Sequence, residues 1–364
     1  MNKISTSPAT SAEPSRSTIL TGDALTVMRR LPTSSIDQVF FSPPYFRLRD
    51  YGIGQAKGEL GQEDTVDQWV DHLLAICAEA KRILVSTGGL WLNLGDTYSD
   101  HPRRGAARKS LLLGPERLAL QLTRQGWLCR NNIVWAKANH MPSSARDKLT
   151  SAWEHLYFFT KQARYFFDLD AIRQPHISPM RPRQDSTGPA NRHDPTRPNN
   201  PHHTSGIAAL KSSGLPGHPL GKNPSDVWTI PASSGVSGHM ATMPVELARR
   251  AIAAGCPETR CTNCHAPYIR DPAKTRCIAQ HLGYTAVGSL PPRPGVPLTP
   301  TCSCHSSSEP GLVLDPFIGS GTTGIAAQQL QRDWLGIEIN PAYARQAKTR
   351  IDQANSASKG KENI

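Results

Sequence analysis

The tetrapeptide Ser42-Pro43-Pro44-Tyr45 follows an apolar run, residues 36–41, that is typical of a buried strand. The two prolines fix the backbone and remove two N–H donors, so they leave rigid carbonyls that can only accept hydrogen bonds. Ser42 adds a hydroxyl group and Tyr45 adds an aromatic face. This combination suits the exocyclic amino group of a nucleobase, because acceptors that hold its N–H groups expose its lone pair while the ring stacks on Tyr45. The alternative is a proline-stiffened turn without a chemical role.

A glycine-rich turn forms the second candidate site, where residues 312–324 read Leu-Val-Leu-Asp-Pro-Phe-Ile-Gly-Ser-Gly-Thr-Thr-Gly. Glycines let the backbone approach a ligand closely. Glu338 ends the next strand-like run, about 20 residues after Asp315, where a carboxylate can hold ribose hydroxyls. A phosphate P-loop is excluded, because no Lys-Ser or Lys-Thr pair follows at the required spacing. A dinucleotide dehydrogenase fits less well, because Asp-Pro-Phe-Ile separates the strand from the first glycine, and an ordinary tight turn leaves the two acids unexplained.

Two close cysteine pairs, Cys261-Thr-Asn-Cys264 and Cys302-Ser-Cys304, lie in a proline-rich stretch that holds six of the eight cysteines. Four thiolates can form a closed tetrahedral zinc site, and such a site would hold together an insertion that has little core of its own. His265 and His305 are alternative ligands. The site would be structural or would help to grip DNA, but not catalytic, because four protein ligands leave no open position. Free cysteines in a loop are the alternative.

Positive charge is concentrated in two variable stretches of a chain whose formal net charge is +12. Residues 101–110 contain Arg103, Arg104, Arg108 and Lys109, and residues 173–197 contain further arginines that include Arg181 and Arg183. Clustered arginines with few acids suit phosphate contacts and base-edge readout in DNA. A solvated basic loop is the alternative for each of these side chains.

Strand-like and helical patterns alternate along the chain, which predicts an α/β fold with a largely parallel sheet covered by helices on both faces. We expect strands at residues 17–21, 36–41, 83–94, 132–136, 155–160, 312–315 and 333–338, and helices at 64–82, 114–125, 244–254, 322–331 and 341–354. Few residues follow Glu338, too few for the rest of a nucleotide-binding sheet. The remaining strands must come from the N-terminal part, so we predict a circularly permuted, seven-stranded, Rossmann-like sheet with irregular inserts.

The same patterns divide the chain into segments. We predict disordered tails at 1–16 and 355–364, a half that carries the tetrapeptide at 17–174, a variable proline-rich stretch for target recognition at 175–225, a helix segment at 226–255, the cysteine-rich insertion at 256–310 and the half that carries the glycine-rich turn at 311–354. No run reaches about 18 apolar residues, so no transmembrane helix is expected. The start lacks the apolar core of a signal peptide, which favours a cytoplasmic protein associated with the nucleoid.

These motifs resemble the amino-group DNA methyltransferases that use S-adenosylmethionine. The resemblance covers nearly all of residues 17–350, and it rests on Thr21-Gly-Asp-Ala-Leu25, Phe41-Ser-Pro-Pro-Tyr45, Leu48-Arg-Asp-Tyr51, Gly89-Leu-Trp-Leu-Asn-Leu-Gly-Asp96, the segment from Trp127 to Lys137, Trp228-Thr-Ile-Pro231, His239-Met-Ala-Thr-Met-Pro244 and Leu314-Asp-Pro-Phe-Ile-Gly-Ser-Gly-Thr-Thr323. The tetrapeptide precedes the glycine-rich turn, as in the permuted beta arrangement of that family.

The resemblance implies a role for each matching residue. The target base would be held by Ser42, Pro43, Pro44 and Tyr45. The cofactor would be bound by Asp23, His239, Thr242, Asp315, Phe317, Gly319, Ser320, Gly321, Thr322 and Glu338. Within the family, Ser-Pro-Pro-Tyr favours N4 of cytosine, whereas Asp-Pro-Pro-Tyr or Asn-Pro-Pro-Tyr favours N6 of adenine.

The expected activity is therefore methylation of cytosine N4 in double-stranded DNA, by a monomer or homodimer that has no membrane partner. The cofactor would be S-adenosylmethionine, with structural zinc as a further component. Methylation of adenine N6 stays open, and so does a catalytically silent DNA-binding protein on the same scaffold. A separately encoded restriction endonuclease would be a natural companion. Carbon-5 methylation of cytosine is not expected, because the chain has no Pro-Cys dipeptide to supply the nucleophile.

Overall fold

The computed structural model of the chain describes residues 16–49, 59–176, 218–233, 243–284, 286 and 288–359. Residues 1–15 of the predicted N-terminal tail and most of the variable stretch lie outside these residues, whereas Arg16 is described and pairs with Glu309 and Asp333. The strands are β1 Thr18–Thr21, β2 Ile36–Phe41, β3 Leu84–Leu94, β4 Leu128–Ala136, β5 Trp153–Thr160, β6 Val227–Thr229, β7 Thr259–Cys261, β8 Tyr268–Ile269, β9 Thr299–Pro300, β10 Ser308–Pro310, β11 Leu312–Asp315 and β12 Asp333–Glu338. The helices are α1 Ala24–Met28, α2 Val66–Ile83, α3 Gly114–Arg124, α4 Val245–Gly255, α5 Pro272–His281, α6 Thr322–Gln329 and α7 Pro341–Lys359.

The central sheet has the strand order β1-β12-β11-β2-β3-β5-β4-β6. All seven predicted strand runs are in it, which confirms the α/β class. The predicted number of seven strands is wrong, because β6 adds an eighth. This strand has only three residues, of which Trp228 alone is buried, so it is too short for its alternation to be recognised in the sequence.

Most neighbouring strands of the sheet are parallel, but β5 runs antiparallel to both β3 and β4. The carboxyl ends of β2, β3, β4, β6, β11 and β12 therefore lie along one edge, together with the amino end of β5. In parallel sheets this edge is the usual place of a ligand site. Strand β11 lies between β12 and β2, so the sheet is assembled from both parts of the chain, as the residue count predicts. The circular permutation itself stays a prediction.

Helices cover the two faces of β2. Val39 and Phe41 belong to a buried core with α2, whose Val70 and Leu73 are also in it. Gln38 lies on the opposite face, because successive strand residues alternate, and its Nε2 donates to the carbonyl of Ala251 in α4 over 3.0 Å. The predicted cover on both faces is therefore present around this strand.

Other helices differ from the sequence prediction in their extent. The short α1 and the ten-residue α5 were not expected, since neither has a long apolar stripe. Helix α7 continues to Lys359, five residues beyond its predicted end and into the segment expected to be a disordered tail. Among the described residues, no helix combines the length and the apolar character that a membrane crossing requires.

The chain divides into two compact units. The first comprises Met1–Asp168, Ser225–Tyr268 and Pro300–Ile364, and it contains the central sheet and the four paired cysteines. The second comprises Leu169–Pro224 and Ile269–Thr299. Its described part includes α5 and an ion pair in which Arg173 Nε lies 2.6 Å from Asp170 Oδ1.

Candidate active site

A cavity of about 310 Å³ lies at the edge where the strands β2, β3, β4 and β11 end. Its lining combines the two predicted sites, with Ser42, Pro43 and Tyr45 from the tetrapeptide and Asp315, Phe317, Gly319, Ser320 and Thr322 from the glycine-rich turn. Segments from the two ends of the sequence therefore face one another across a single cavity. We call the side of Ser42 the acceptor side and the side of the glycine-rich turn the cofactor side.

The acceptor side is a chain of hydrogen-bonded side chains. Ser42 Oγ lies 3.1 Å from Tyr45 Oη. Tyr45 Oη lies 2.7 Å from Glu154 Oε2 and 3.2 Å from Asn93 Oδ1. Lys137 completes the chain, with 2.5 Å between its Nζ and Glu154 Oε1. Ser42 and Tyr45 share the segment after β2, and side chains at the ends of β3 and β5 hold the phenol of Tyr45 in place.

Three of these residues, Asn93, Lys137 and Glu154, received no role from sequence reasoning. Asn93 and Lys137 lie in segments on which the family resemblance rests, so the sequence did contain a signal for these two residues. Glu154 precedes the apolar run at 155–160, and it reaches the cavity because β5 is antiparallel and presents its first residues at this edge. A prediction of a largely parallel sheet could not place a strand start there.

The two prolines of the tetrapeptide differ in position. Pro43 lines the cavity. The carbonyl of Pro44 instead accepts a hydrogen bond from Trp69 Nε1 of α2 over 3.0 Å. Pro44 therefore fastens the tetrapeptide to the core, and its predicted contact with the base stays a prediction.

Asp315 is the buried carboxylate of the cofactor side, and its side chain accepts two local hydrogen bonds. The donors are the backbone N–H of Phe317, over 2.9 Å, and the hydroxyl of Thr323. Burial raises the pKa of Asp315 to about 7, although both hydrogen bonds lower it, and the charge of Glu338 raises it further. The carboxyl group therefore takes up and releases a proton near neutral pH.

Glu338 holds the glycine-rich turn in place. Its Oε2 accepts a hydrogen bond from the backbone N–H of Gly319 over 3.1 Å, and its Oε1 accepts one from Asn340 over 2.9 Å. Burial raises the pKa of Glu338, while these backbone N–H groups lower it. Each carboxylate oxygen has a further lone pair, so the predicted role in holding ribose hydroxyls is compatible with these bonds.

The turn itself needs glycine at Gly321, where φ is +82° and an added Cβ would lie 2.9 Å from the side chain of Ile351. Arg350 of α7 supports the same turn from outside. Its Nη1 donates to the carbonyl of Ser320 over 2.7 Å and reaches the hydroxyls of Ser320 and Thr322 at 3.1 Å each. Sequence reasoning missed this arginine, because it lies on a surface helix with no motif around it.

Asp23 lies near the cofactor side but acts locally. Strand β1 pairs with β12 so that Thr21 faces Glu338, and Asp23 follows two residues later. Its Oδ1 accepts hydrogen bonds from the N–H and hydroxyl of Thr26 and so caps α1. The predicted contact with the cofactor stays a prediction, and the corresponding predictions for His239 and Thr242 lie outside the described residues.

The four paired cysteines come together as expected from their spacing. The sulfur atoms of Cys261, Cys264, Cys302 and Cys304 all lie within 4.8 Å of one another. Backbone N–H groups of Cys264 and Asn263 lower the pKa of Cys261 to about 7, whereas burial and the neighbouring cysteines raise the pKa of Cys264 to about 12. Tetrahedral zinc with bonds of about 2.3 Å needs sulfur atoms about 3.8 Å apart, so this cluster fits the ion.

The cysteine cluster lies at the opposite edge of the sheet from the cavity. Arg260, which precedes the first cysteine, is fully buried, and its Nη1 lies 3.0 Å from Asp37 Oδ2 near the amino end of β2. His265 Nδ1 lies 3.0 Å from the carbonyl oxygen of Ser34, just before that strand. The cavity lies beyond the carboxyl end of β2, so the cluster does not take part in it.

The basic residues of the segment 101–110 are exposed or half-buried on the loop that follows β3. Arg104 Nε lies 3.3 Å from Asp100 Oδ1, and Lys109 Nζ lies 2.8 Å from Asp147 Oδ2. Exposed ion pairs of this kind contribute little to stability. Because β3 ends at the cavity edge, this loop leaves the sheet on the same side as Ser42. The predictions for Arg181 and Arg183 lie outside the described residues.

Comparisons with known proteins agree with this geometry. The sequence profile of the N6/N4 DNA methylase family matches residues 36–262 and 303–349. The type II methyltransferase M.XycI of Xanthomonas campestris pv. cyanopsidis is 32% identical over 362 residues, which cover 93% of this chain and 89% of that protein. M.SmaI of Serratia marcescens is 28% identical over 354 residues, which cover 92% of this chain and 90% of that protein.

Solved structures share the fold. The cytosine-N4-specific PvuII DNA methyltransferase has a TM-score of 0.53 at 16% identity and covers 94% of this chain and 93% of its own. A putative DNA modification methylase of Thermus thermophilus, solved with S-adenosyl-L-methionine, has a TM-score of 0.50 at 22% identity and covers 93% of each chain. Because the profile matches most of the sequence and relatives align along nearly its whole length, the chain belongs to the N4/N6 family of S-adenosylmethionine-dependent DNA methyltransferases.

Proposed function

We propose that this protein transfers a methyl group from S-adenosylmethionine to N4 of cytosine in a specific sequence of double-stranded DNA. The observation that carries the proposal is the shared cavity, in which the Ser-Pro-Pro-Tyr tetrapeptide faces the glycine-rich turn. The serine in that tetrapeptide favours cytosine over adenine by family resemblance. Adenine N6 is the alternative, since both bases present an amino group with two N–H donors.

The chain's own residues would bind and orient the two reactants. The cofactor, when bound, supplies an electrophilic methyl group. Asp315, Gly319 and Glu338 hold it on the cofactor side, while the base, flipped out of the duplex, enters the acceptor side. Ser42 Oγ and the carbonyl of Pro43 accept the amino N–H groups, which turns the nitrogen lone pair towards the cofactor side. Catalysis is then mainly positioning. The nitrogen would take the methyl group as the bond between that group and the cofactor's sulfur breaks, and the surplus proton of the cationic nitrogen would pass to water.

Nucleoside analysis tests this proposal. Purified protein is incubated with S-adenosylmethionine that carries a labelled methyl group and with unmethylated DNA, and the DNA is digested to nucleosides for mass spectrometry. We expect the label in N4-methylcytosine. Label in N6-methyladenine overturns the choice of base, and no label in DNA despite cofactor binding supports the catalytically silent alternative.

A zinc ion in the cysteine cluster is the second part of the proposal. It would join β7 to the segment that contains Cys302 and Cys304 and would stabilise the insertion without touching the reaction. Elemental analysis should find one zinc per chain, and Cys261→Ser should remove it, whereas Cys277→Ser, an exposed cysteine outside the cluster, should not. Metal-free protein of unchanged melting temperature would contradict the assignment.

The relatives named above are type II methyltransferases, and we place this chain in the same kind of system, with a separately encoded endonuclease as its partner. DNA phosphates beside the cavity would be contacted by Arg103, Arg104, Arg108 and Lys109. Replacement of Arg108 by glutamine should weaken DNA binding and lower its salt dependence by about one counterion. An unchanged salt slope would remove this residue from the interface.

A further inference from the structure

The order of donors and acceptors in the acceptor side fixes the direction of its hydrogen bonds. Glu154 is paired with the ammonium group of Lys137 at 2.5 Å, and its side chain is 14% exposed. A carboxylate paired in this way can only accept hydrogen bonds. Tyr45 Oη, at 2.7 Å from Glu154 Oε2, is therefore the donor in that contact.

Asn93 enforces the same direction. Its side chain is buried, and its Nδ2 donates to the backbone carbonyl of His155 over 2.9 Å. This bond turns the amide so that Oδ1, an acceptor, faces Tyr45 Oη at 3.2 Å. Both strand-borne neighbours of the phenol are thus acceptors, and the single phenol proton is directed towards them.

The direction of the hydrogen bond between Tyr45 and Ser42 follows from these two acceptors. Because the single phenol hydrogen of Tyr45 points at Glu154 and Asn93, its Oη, at 3.1 Å from Ser42 Oγ, accepts a hydrogen bond from the serine hydroxyl. Ser42 Oγ is left with lone pairs on the cavity side, where it lines the space between the two sides. The amino group is a hydrogen-bond donor, so it requires an acceptor whose own hydrogen does not point towards it.

We propose that Glu154 is a positioning residue that sets the polarity of Ser42, by way of Tyr45, so that the serine oxygen accepts from the substrate amino group. Lys137 keeps Glu154 an acceptor. The inference rests on the proposed function, because it assumes an amino group at the acceptor side. It applies equally to cytosine and adenine, so it does not depend on the choice of base.

Glu154→Gln tests the inference, because glutamine keeps the shape of the side chain but adds an N–H donor. With its Nε2 turned towards Tyr45, the phenol can donate to Ser42, and the serine proton then points at the amino N–H groups. We expect kcat to fall about tenfold to a hundredfold, while KM for DNA and the affinity for S-adenosylmethionine stay within about twofold. Glu79→Gln is the matched control, since Glu79 is also an ion-paired, 20% exposed glutamate but lies on α2 away from the cavity. It should leave kcat unchanged.

A double-mutant cycle with Tyr45→Phe distinguishes an effect on the direction of the hydrogen bonds from an effect on the stability of the folded protein. Phenylalanine removes the link between Glu154 and Ser42, so Glu154→Gln should have little further effect on kcat in that background. Equal losses in both backgrounds, or a fall in melting temperature that accounts for the lost activity, would overturn the inference. Mass spectrometry of the product is run on every variant. A wild-type product at adenine N6 would overturn the proposed base and leave the cycle interpretable, whereas no product from wild type would overturn the proposed function itself.

Discussion

The two sides of the cavity are built by different means. On the cofactor side, buried carboxylates accept hydrogen bonds from backbone N–H groups close by, as Asp315 does from Phe317 and Glu338 from Gly319 and Asn340. On the acceptor side, Ser42 and Tyr45 contact one another within a single tetrapeptide, and the side chain of Glu154, from a distant strand, holds the phenol of Tyr45. The hydrogen bonds of the two cofactor-side carboxylates therefore stay within residues 315–340, whereas the acceptor side joins segments that lie much farther apart in the sequence.

This difference predicts that each side can be damaged separately. The largest effect is expected from Ser42→Ala combined with Tyr45→Ala. Methyl transfer should fall at least about a thousandfold, because the amino group loses its side-chain acceptor, Ser42, and its stacking surface, Tyr45. The affinity for S-adenosylmethionine, measured by calorimetry, should stay within about threefold. Unchanged activity would contradict the roles assigned to Ser42 and Tyr45. A loss of cofactor affinity would show that the two sides cannot be damaged separately.

Asp315→Asn tests the buried carboxyl group through pH. The folded chain holds a proton on Asp315 up to about pH 7, whereas the unfolded chain releases it near the ordinary pKa of about 4. In wild-type protein without cofactor, the protonated Asp315 should therefore add most to the free energy of unfolding below pH 4. This contribution, on the order of 4 kcal/mol at most, should be lost as the pH rises through 7.

Asparagine does not titrate, so the slope should be shallower in the variant. Urea unfolding of both proteins at several values of pH between 4 and 8 measures the difference. Parallel curves for the two proteins would show that Asp315 is not the buried titrating group.

Glu338→Gln should affect cofactor binding and leave the acceptor side intact. The amide would place its NH2 group against the backbone N–H of either Gly319 or Asn340, and it would lose a charge-assisted acceptor. We expect the dissociation constant of S-adenosylmethionine to rise about tenfold to a hundredfold. At saturating cofactor, kcat should recover most of its wild-type value. A fall in kcat that saturation does not restore would mean that the two sides are coupled.

Gly95→Ala is the mildest change and acts on the acceptor side alone. An added Cβ would lie 2.6 Å from Cε2 of the Tyr45 ring, so the ring must move and its hydrogen bond to Glu154 must stretch. A loss of transfer rate of about tenfold is expected, with cofactor affinity unchanged. Gly283→Ala is a control for substitution at a glycine with open space around it, although its positive φ adds some strain of its own. Equal rates for Gly95→Ala and wild type would mean that the ring position is not critical.

The same comparison explains what could be predicted from sequence. The turn at 315–324 and its partner Glu338 carry a local pattern, and the structure brings them together as that pattern implies. Glu154 could not be found in this way, because its place depends on the antiparallel direction of β5 and on pairing with β3 and β4. Strand β6 was missed because three residues are too few for their alternation to be recognised, and Arg350 because a long-range contact from a surface helix leaves no local signal.

The central claim is that one cavity brings a cytosine amino group to the methyl group of S-adenosylmethionine. Its most direct test is expression of the chain in a host that lacks DNA methylation, followed by modification-sensitive sequencing of the host DNA. We predict N4-methylcytosine at one short recurring sequence, and none in cells that carry the empty vector. N6-methyladenine at a recurring sequence, or unmodified DNA in cells that contain folded protein, would contradict the claim.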